Sequence, residues 1–278
     1  MKDGKPERET LYVLGRTADE TERLQAQAVF VQPFTERLFR DAGLRRGMKV
    51  LDLGSGAGDV ALLAARLVGS EGAVVGIDTN PSILETARAR ARDAGCNNVS
   101  FKAGDIREIS LPHDFDAVVG RYVLMFMPDP AAAMRAVVDH LRPGGIAAFQ
   151  EPDFTQSPYA HPSSSLLDQI WQWISVAFRE SGADPDMGLK LRNLYLRAGL
   201  SDLHLEADRF IGGGAGWGGY GHLAGLVRSV LPFLETRGIA TAKEVQPETL
   251  AERLRDDIVS REGVVMWLTL VRLWGRKK

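Results

Sequence analysis

The chain reads as an α/β protein with a doubly wound parallel sheet, and three observations carry that expectation. From Met48 to Gln150, short β-rich apolar runs alternate with helical stretches, the order that puts a parallel sheet between two helical layers. Asn80-Pro81 and Asp129-Pro130 each place a capping side chain before a proline at the first helical position, which sets where two of those helices begin. The third is the loop "GSGAG", which leaves the first strand and opens a helix.

Before this core, "TADETERLQAQAVFVQPFTERLF" has Thr17 and Glu20 at capping-box spacing and apolar residues at helical intervals, predicting a helical arm that Pro33 interrupts. The core then runs "MKVLDL", a helix from about Gly58, "AVVGID", a helix from Asn80, "NVSFKA", "FDAVVG", a helix from Asp129, and "GIAAFQ". Beyond Gln150 the regularity weakens. "SSSLLDQIWQWISVAFRES" and "MGLKLRNLYLRAGL" predict helices, "SDLHLEADRFI" a strand, and "VVMWLTLVRLW" a closing strand, with a helical insertion over about 212–263. The predicted organisation is an arm (1–47), a ligand-binding core (48–150), and the rest of the sheet with a helical cap (151–278).

The 278 residues carry a net charge of -2 with 45% hydrophobic residues, so composition gives no drive toward nucleic acid or anionic membrane. The charged start "MKDGKPERET" has no apolar leader, and no uninterrupted apolar stretch is long enough to cross a bilayer; the expectation is a cytoplasmic protein. A single cysteine, Cys96, excludes an intrachain disulfide and a Cys-rich metal cluster. No metal is expected, although a magnesium site of scattered carboxylates stays open.

Two glycine clusters compete for the ligand. "IGGGAGWGGYGH" contains GxGxxG at Gly214, Gly216 and Gly219, but no strong strand and helix frame it, and the expectation is a hinge or lid loop. The first cluster has the strand and helix. It also has Asp78 at the end of the second strand, 20 residues beyond Gly58, where a carboxylate can accept from both hydroxyls of a ribose. NAD would fit this much. The loop itself runs Gly54-Ser55-Gly56-Ala57-Gly58, and Asp59 stands where the dinucleotide pattern wants its third glycine; an acid there would repel a pyrophosphate but not a sulfonium.

With "LDLGSGAG", "GIDTN", "AGDI", "FDAVVGRYVLMFMPDP" and "LRPGG" in order, the chain resembles the class I S-adenosylmethionine-dependent methyltransferases, of the ubiquinone and menaquinone biosynthesis type. That type contains many small-molecule enzymes of specialised metabolism. The resemblance implies a Rossmann-like, doubly wound seven-stranded sheet with a helical cap, and S-adenosylmethionine (SAM) as cofactor. It implies that Asp52, Gly54, Ser55, Gly56 and Gly58 surround the methionine part, that Asp78 binds the ribose, and that Thr79 and Asn80 lie along the adenosine. Asp105 would meet the adenine amino group with Ile106 beside it, and Arg121 and Tyr122 would line the path to the acceptor.

Methyl transfer is an in-line displacement at an activated carbon, so alignment and exclusion of water dominate, and a base is needed only for acceptors that lose a proton. Glu151 and Asp153 follow the fifth strand at the carboxyl edge and are candidates to orient or deprotonate an acceptor. Among the five histidines, His161 and His222 fall in cap segments and are the candidate bases, while His113, His140 and His204 read as structural. Tyr159, Trp171, Trp173, Phe178, Trp217 and Tyr220 offer an apolar pocket for a small aromatic or lipophilic acceptor.

"GRYV" follows the fourth strand in place of the Pro-Pro-aromatic run of nucleobase amino methyltransferases. Cys96 is misplaced for a cytosine nucleophile, and the arginines of "ARARARD" read as a solvated face. No nucleic-acid or membrane partner is expected. Oxygen, nitrogen and carbon acceptors stay open, as do monomer and homodimer. The rival readings are an NAD-dependent oxidoreductase and a non-catalytic cofactor-binding relative.

Overall fold

The computed structural model describes residues 18–278, with side chains described from Phe30 onward. The strands of the first half are β1 (Lys49–Leu53), β2 (Ala73–Asp78), β3 (Val99–Ala103), β4 (Phe115–Arg121) and β5 (Leu141–Asp153), and they pair in parallel in the order β3-β2-β1-β4-β5. β8 (Val264–Lys277) runs antiparallel along β5, with β7 (Leu200–Gly213) on its other edge; the short β6 (Tyr159–His161) pairs with the start of β8. The sheet thus has eight strands rather than the expected seven, the addition being this three-residue β6.

Helices cover both faces, as a mainly parallel sheet requires. α1 (Ala18–Ala42), α2 (Asp59–Val68) and α3 (Pro81–Asp93) enclose one apolar cluster containing Leu38, Val50, Leu63, Leu84 and Ala148. α4 (Pro130–His140), α5 (Ser165–Glu180) and α6 (Met187–Arg197) enclose the other, which includes Leu51, Met134, Phe149, Ile174 and Leu191. This second cluster continues into α7 (Gly219–Thr236), α8 (Ala242–Val245) and α9 (Leu250–Ser260), which lie between β7 and β8 along the chain and are called the cap helices below.

The predicted caps form: the Asn80 side chain accepts from the Ser82 amide, and that of Asp129 from the Ala132 amide. Thr17 and its capping box lie outside the described residues. α1 runs straight through Pro33 instead of stopping there. A proline inside a helix removes one hydrogen bond, and here Val31, Leu38, Phe39 and Ala42, all buried, hold the helix against the core on both sides of it. "LRPGG" falls within the span of β5 rather than before it. The pairing jumps from Phe115↔Leu141 to Ala117↔Ile146, so the extra residues bulge out around Gly144, whose φ is 74°.

Candidate active site

The carboxyl ends of β1, β2, β4 and β5 gather the polar residues. Asp52 is fully buried near the end of β1, and its two carboxylate oxygens have no hydrogen-bond partner among the described residues. Burial pushes its pKa well above the ordinary carboxylate range, against the pull of the Arg121 guanidinium. Ser55 is buried too, with its hydroxyl unpartnered among the described residues. Such orphaned groups are costly in a closed interior and call for a partner.

The loop after β1 turns through left-handed backbone at Gly54 (φ 66°), Gly56 (49°) and Gly58 (87°). A Cβ at Gly54 would stand 2.4 Å from the Val123 side chain, whereas one at Gly56 would meet nothing within 4 Å. Gly54 therefore lets the loop lie against the turn after β4, and Gly56 faces open space. Asp78 ties this loop to the end of β2: Oδ2 accepts from the Gly56 amide and Oδ1 from the Asn80 amide, both at 2.9 Å. Each oxygen keeps a second lone-pair direction, so the carboxylate still has capacity for the two hydroxyls of a ribose. The orphaned Asp52 and Ser55, the open side of Gly56 and the spare capacity of Asp78 fit an adenosyl cofactor with an amino-acid end.

The other expected cofactor residues lie along the same edge. Thr79 is exposed, Asn80 half-buried, and Ile106 buried in the core as an apolar wall. Asp105 is held by its neighbour Arg107, whose Nε and Nη2 donate at 2.9 and 2.6 Å, and these bonds lower its pKa. An adenine amino group would share that carboxylate with Arg107. Asp59 pairs with Arg90 at 2.6 Å, so its charge is compensated and the repulsion expected at a pyrophosphate does not follow from it.

Tyr122, the residue after β4, has φ 54°, a conformation that bulky residues adopt only where surroundings hold them, often at functional sites. Glu151 stabilises the turn that follows. Its Oε1 accepts from the Val123 and Leu124 amides at 2.9 and 2.8 Å, Oε2 has no partner among the described residues, and the side chain is fully buried. Burial pushes its pKa up to about 7, with those two amides pulling the other way. Asp153 folds back onto Thr155, accepting from its amide and hydroxyl at 2.8 and 2.6 Å.

The three candidate catalytic side chains do not converge. Glu151 pairs with Val271 in the β8 register and His161 with Val264, seven positions along, roughly 23 Å at strand spacing. His161 is exposed, while His222 is buried on α7 and stacks on Phe30 of α1 at 5.0 Å between ring centres. Phe30 also stacks on Phe210 at 4.7 Å, and Trp217 meets Tyr220 edge-on at 5.0 Å. These aromatic contacts join α1, β7 and α7 into one cap wall. Trp173 is buried, and Trp171 packs between Phe154 and Trp267.

Two side chains at this edge carried no expectation from the sequence. Thr35 of α1 and Gln150 of β5, both buried, join Arg121 in a chain: Arg121 Nη1 donates to Thr35 Oγ1 at 3.0 Å, and that hydroxyl donates to Gln150 Oε1 at 2.8 Å. The one readable signal was a glutamine ending the apolar run "GIAAFQ".

Comparison with known proteins places this geometry. A family profile described as a methyltransferase domain matches residues 44–181. The aklanonic acid methyltransferase DauC of Streptomyces sp. (strain C5) is 34% identical over 170 residues, 60% of this chain and 76% of that protein. The ubiquinone/menaquinone biosynthesis C-methyltransferase UbiE of Idiomarina loihiensis is 36% identical over 138 residues, 48% of this chain and 51% of its own length, so the chain matches about half of that relative. Among solved structures, the YcgJ protein of Bacillus subtilis superposes with a TM-score of 0.55 at 17% identity, covering 88% of this chain and 97% of that one. The [4+2]-cyclase SpnF does so with 0.55 at 19% identity, covering 88% and 80%. At these identities the two structures speak for the fold alone.

Proposed function

Because the chain belongs to the class I SAM-dependent methyltransferases, we propose that it methylates a small aromatic or lipophilic acceptor held between the carboxyl edge of the sheet and the aromatic cap. The observation that carries this reading is that α1 serves two surfaces: its Thr35 bonds Arg121, whose charge acts on the buried, orphaned Asp52, and its Phe30 belongs to an aromatic wall with Phe210, Trp217 and Tyr220. When bound, SAM supplies a methyl carbon already activated by its sulfonium. Asp78 then holds the ribose, Asp105 and Ile106 flank the adenine, and Asp52, Gly54, Ser55, Gly56, Gly58, Arg121 and Tyr122 surround the methionine end. Thr79 and Asn80 lie along the adenosine.

The chain's own tasks are to align the acceptor and exclude water, which the cap helices do by burial. Glu151 acts here by shaping the turn after β4, since its Oε1 is already committed to two backbone amides. The proposed setting is a cytoplasmic enzyme of specialised metabolism with no nucleic-acid or membrane partner; no described helix is long and apolar enough to cross a membrane. DauC and UbiE, by their names, act in aklanonic acid methylation and quinone biosynthesis, which suggests planar cyclic acceptors for the first trials.

The same fold also serves a cyclase, so the test must read methyl transfer and not merely fold. Calorimetric titration with S-adenosylhomocysteine should show saturable binding that collapses in Asp78→Ala, while NADH should not bind. Labelled SAM should then transfer its methyl to aklanonic acid or to a methyl-lacking quinone precursor. NADH binding, or binding of neither ligand, would overturn the reading.

A further inference from the structure

A row of polar side chains crosses the sheet beneath α1, where the neighbouring positions are apolar. Arg121 on β4 lies opposite Gln150 on β5, Gln150 opposite Arg272 on β8, and Arg272 opposite Glu206 on β7. Residues in register on adjacent strands share a face, so all four look toward α1. One step toward the amino end of β4, the same face carries Val119, Ala148 and Trp274 inside the apolar cluster. The half of the row beneath the far end of α1 is closed by charge. Arg272, 4% exposed, bonds Asp41 of α1 at 2.5 Å and also Glu206, and Asp208 is shared between Arg272 and Arg37 of α1.

The half over the site is not closed. Thr35 uses its hydroxyl twice, accepting from Arg121 and donating to Gln150 Oε1. That bond orients the Gln150 amide, and its Nε2 is left buried with no partner among the described residues. Beside Arg121, the Asp52 carboxylate is buried and unpartnered as well. An unused amide donor and a guanidinium stand with an unused carboxylate, the complement of a zwitterion with one carboxylate and one ammonium.

We propose that Thr35 and Gln150 complete the pocket for the α-amino-acid end of the cofactor. Thr35 is a positioning residue that holds the Arg121 guanidinium in place, and the free Gln150 amide joins Arg121 in binding the carboxylate, with Asp52 toward the ammonium. The inference rests on the cofactor reading above and deepens it, because it makes α1 a wall of the cofactor site and not only part of the scaffold.

The test compares two ligands that share the adenosyl thioether and differ only in the amino-acid end: S-adenosylhomocysteine and 5′-methylthioadenosine, titrated by calorimetry into the full chain. Thr35→Val and Gln150→Met keep size while removing the polar groups. Each should weaken S-adenosylhomocysteine about tenfold or more, the range for a hydrogen bond to a charged group, and leave methylthioadenosine unchanged. Thr35→Ser should restore wild-type affinity.

Equal loss of both ligands would mean that the two residues only support the fold, and no loss of either would mean that they do not touch this function. Both results overturn the inference and leave the cofactor reading intact. So would equal affinity of the unaltered protein for the two ligands, since the amino-acid end would then contribute nothing. If the unaltered protein binds neither, the cofactor reading fails and this inference falls with it.

Discussion

Gly54 and Gly212 both lack room for a methyl group, yet the obstacles differ in kind. At Gly54 the backbone is left-handed (φ 66°) and an added Cβ would stand 2.4 Å from Val123, a residue whose own amide is fixed by Glu151. At Gly212 no such backbone is required, and the obstacle is the indole of Trp217, 2.1 Å away; Gly219 meets the same ring at 2.2 Å. The first glycine cluster shapes main chain so that a loop can lie between the turn after β4 and the Asp78 carboxylate. In the second, Gly212 and Gly219 make room for one aromatic side chain, while Gly214, Gly216 and Gly221 face open space. The second cluster, expected to lack a framing strand and helix, in fact stands between β7, which ends at Gly213, and α7, which begins at Gly219; what distinguishes the first is its run of left-handed backbone at Gly54, Gly56 and Gly58 and its tie to Asp78.

The sharpest break of this comparison is Gly54→Ala. Left-handed backbone costs a non-glycine residue about 1–2 kcal/mol, and the clash with Val123 adds an overpacking penalty, so a loss of about 4 kcal/mol is expected in denaturant unfolding. Affinity for S-adenosylhomocysteine should fall with it. Gly54→Ala unfolding like the unaltered protein would show that the turn after β4 yields freely.

The partner of that turn gives the next effect. The folded pKa of Glu151, about 7, is raised from 4.5. A raised value means that the folded chain holds a proton which the unfolded chain releases earlier. The associated stability is present in full below pH 4.5 and is lost as pH rises through 7, about 3 kcal/mol in all. Glu151→Gln keeps an acceptor for the Val123 and Leu124 amides without the charge. Its unfolding free energy should vary less between pH 5 and 8 than that of the unaltered protein and exceed it at pH 8. Parallel pH profiles would sink the assignment.

For the second cluster, Gly212→Ala should cost about 2 kcal/mol by overpacking, with S-adenosylhomocysteine affinity unchanged. Trp217→Ala removes the obstacle, so adding Gly212→Ala to it should cost little, and the double-mutant cycle should return nearly the whole penalty as coupling. An additive cycle would mean that backbone freedom, not the indole, is what Gly212 supplies.

What could be read in advance follows the range of the interactions. The parallel core, the caps at Asn80 and Asp129, and the placing of Asp78 beside the first loop rest on neighbours in sequence, and each has its counterpart in the structure. Thr35 and Arg121 are 86 residues apart, so their bond had no local signature. Asp59 looked like an uncompensated acid because Arg90, its partner, lies on the next helix. His113 and His140 read as structural, but not as a reciprocal pair, stacked at 4.8 Å, in which each Nδ1 meets the carbonyl of the residue before the other. Pro33 looked like a stop because local rules see the lost hydrogen bond and not the burial of Leu38 and Phe39 beyond it.

Gly216 supplies the smallest effect and the cleanest control. It belongs to the GxGxxG pattern of the second cluster, yet its backbone is not left-handed and a Cβ there would meet nothing within 4 Å. Neither argument made for Gly54 or Gly212 applies, so Gly216→Ala should shift stability by less than about 0.5 kcal/mol, the range of ordinary surface changes. Affinity for both S-adenosylhomocysteine and NADH should stay as in the unaltered protein. If the substitution instead abolished binding of either ligand, the second loop would be a nucleotide site after all, and the division of labour between the two clusters would have to be reversed.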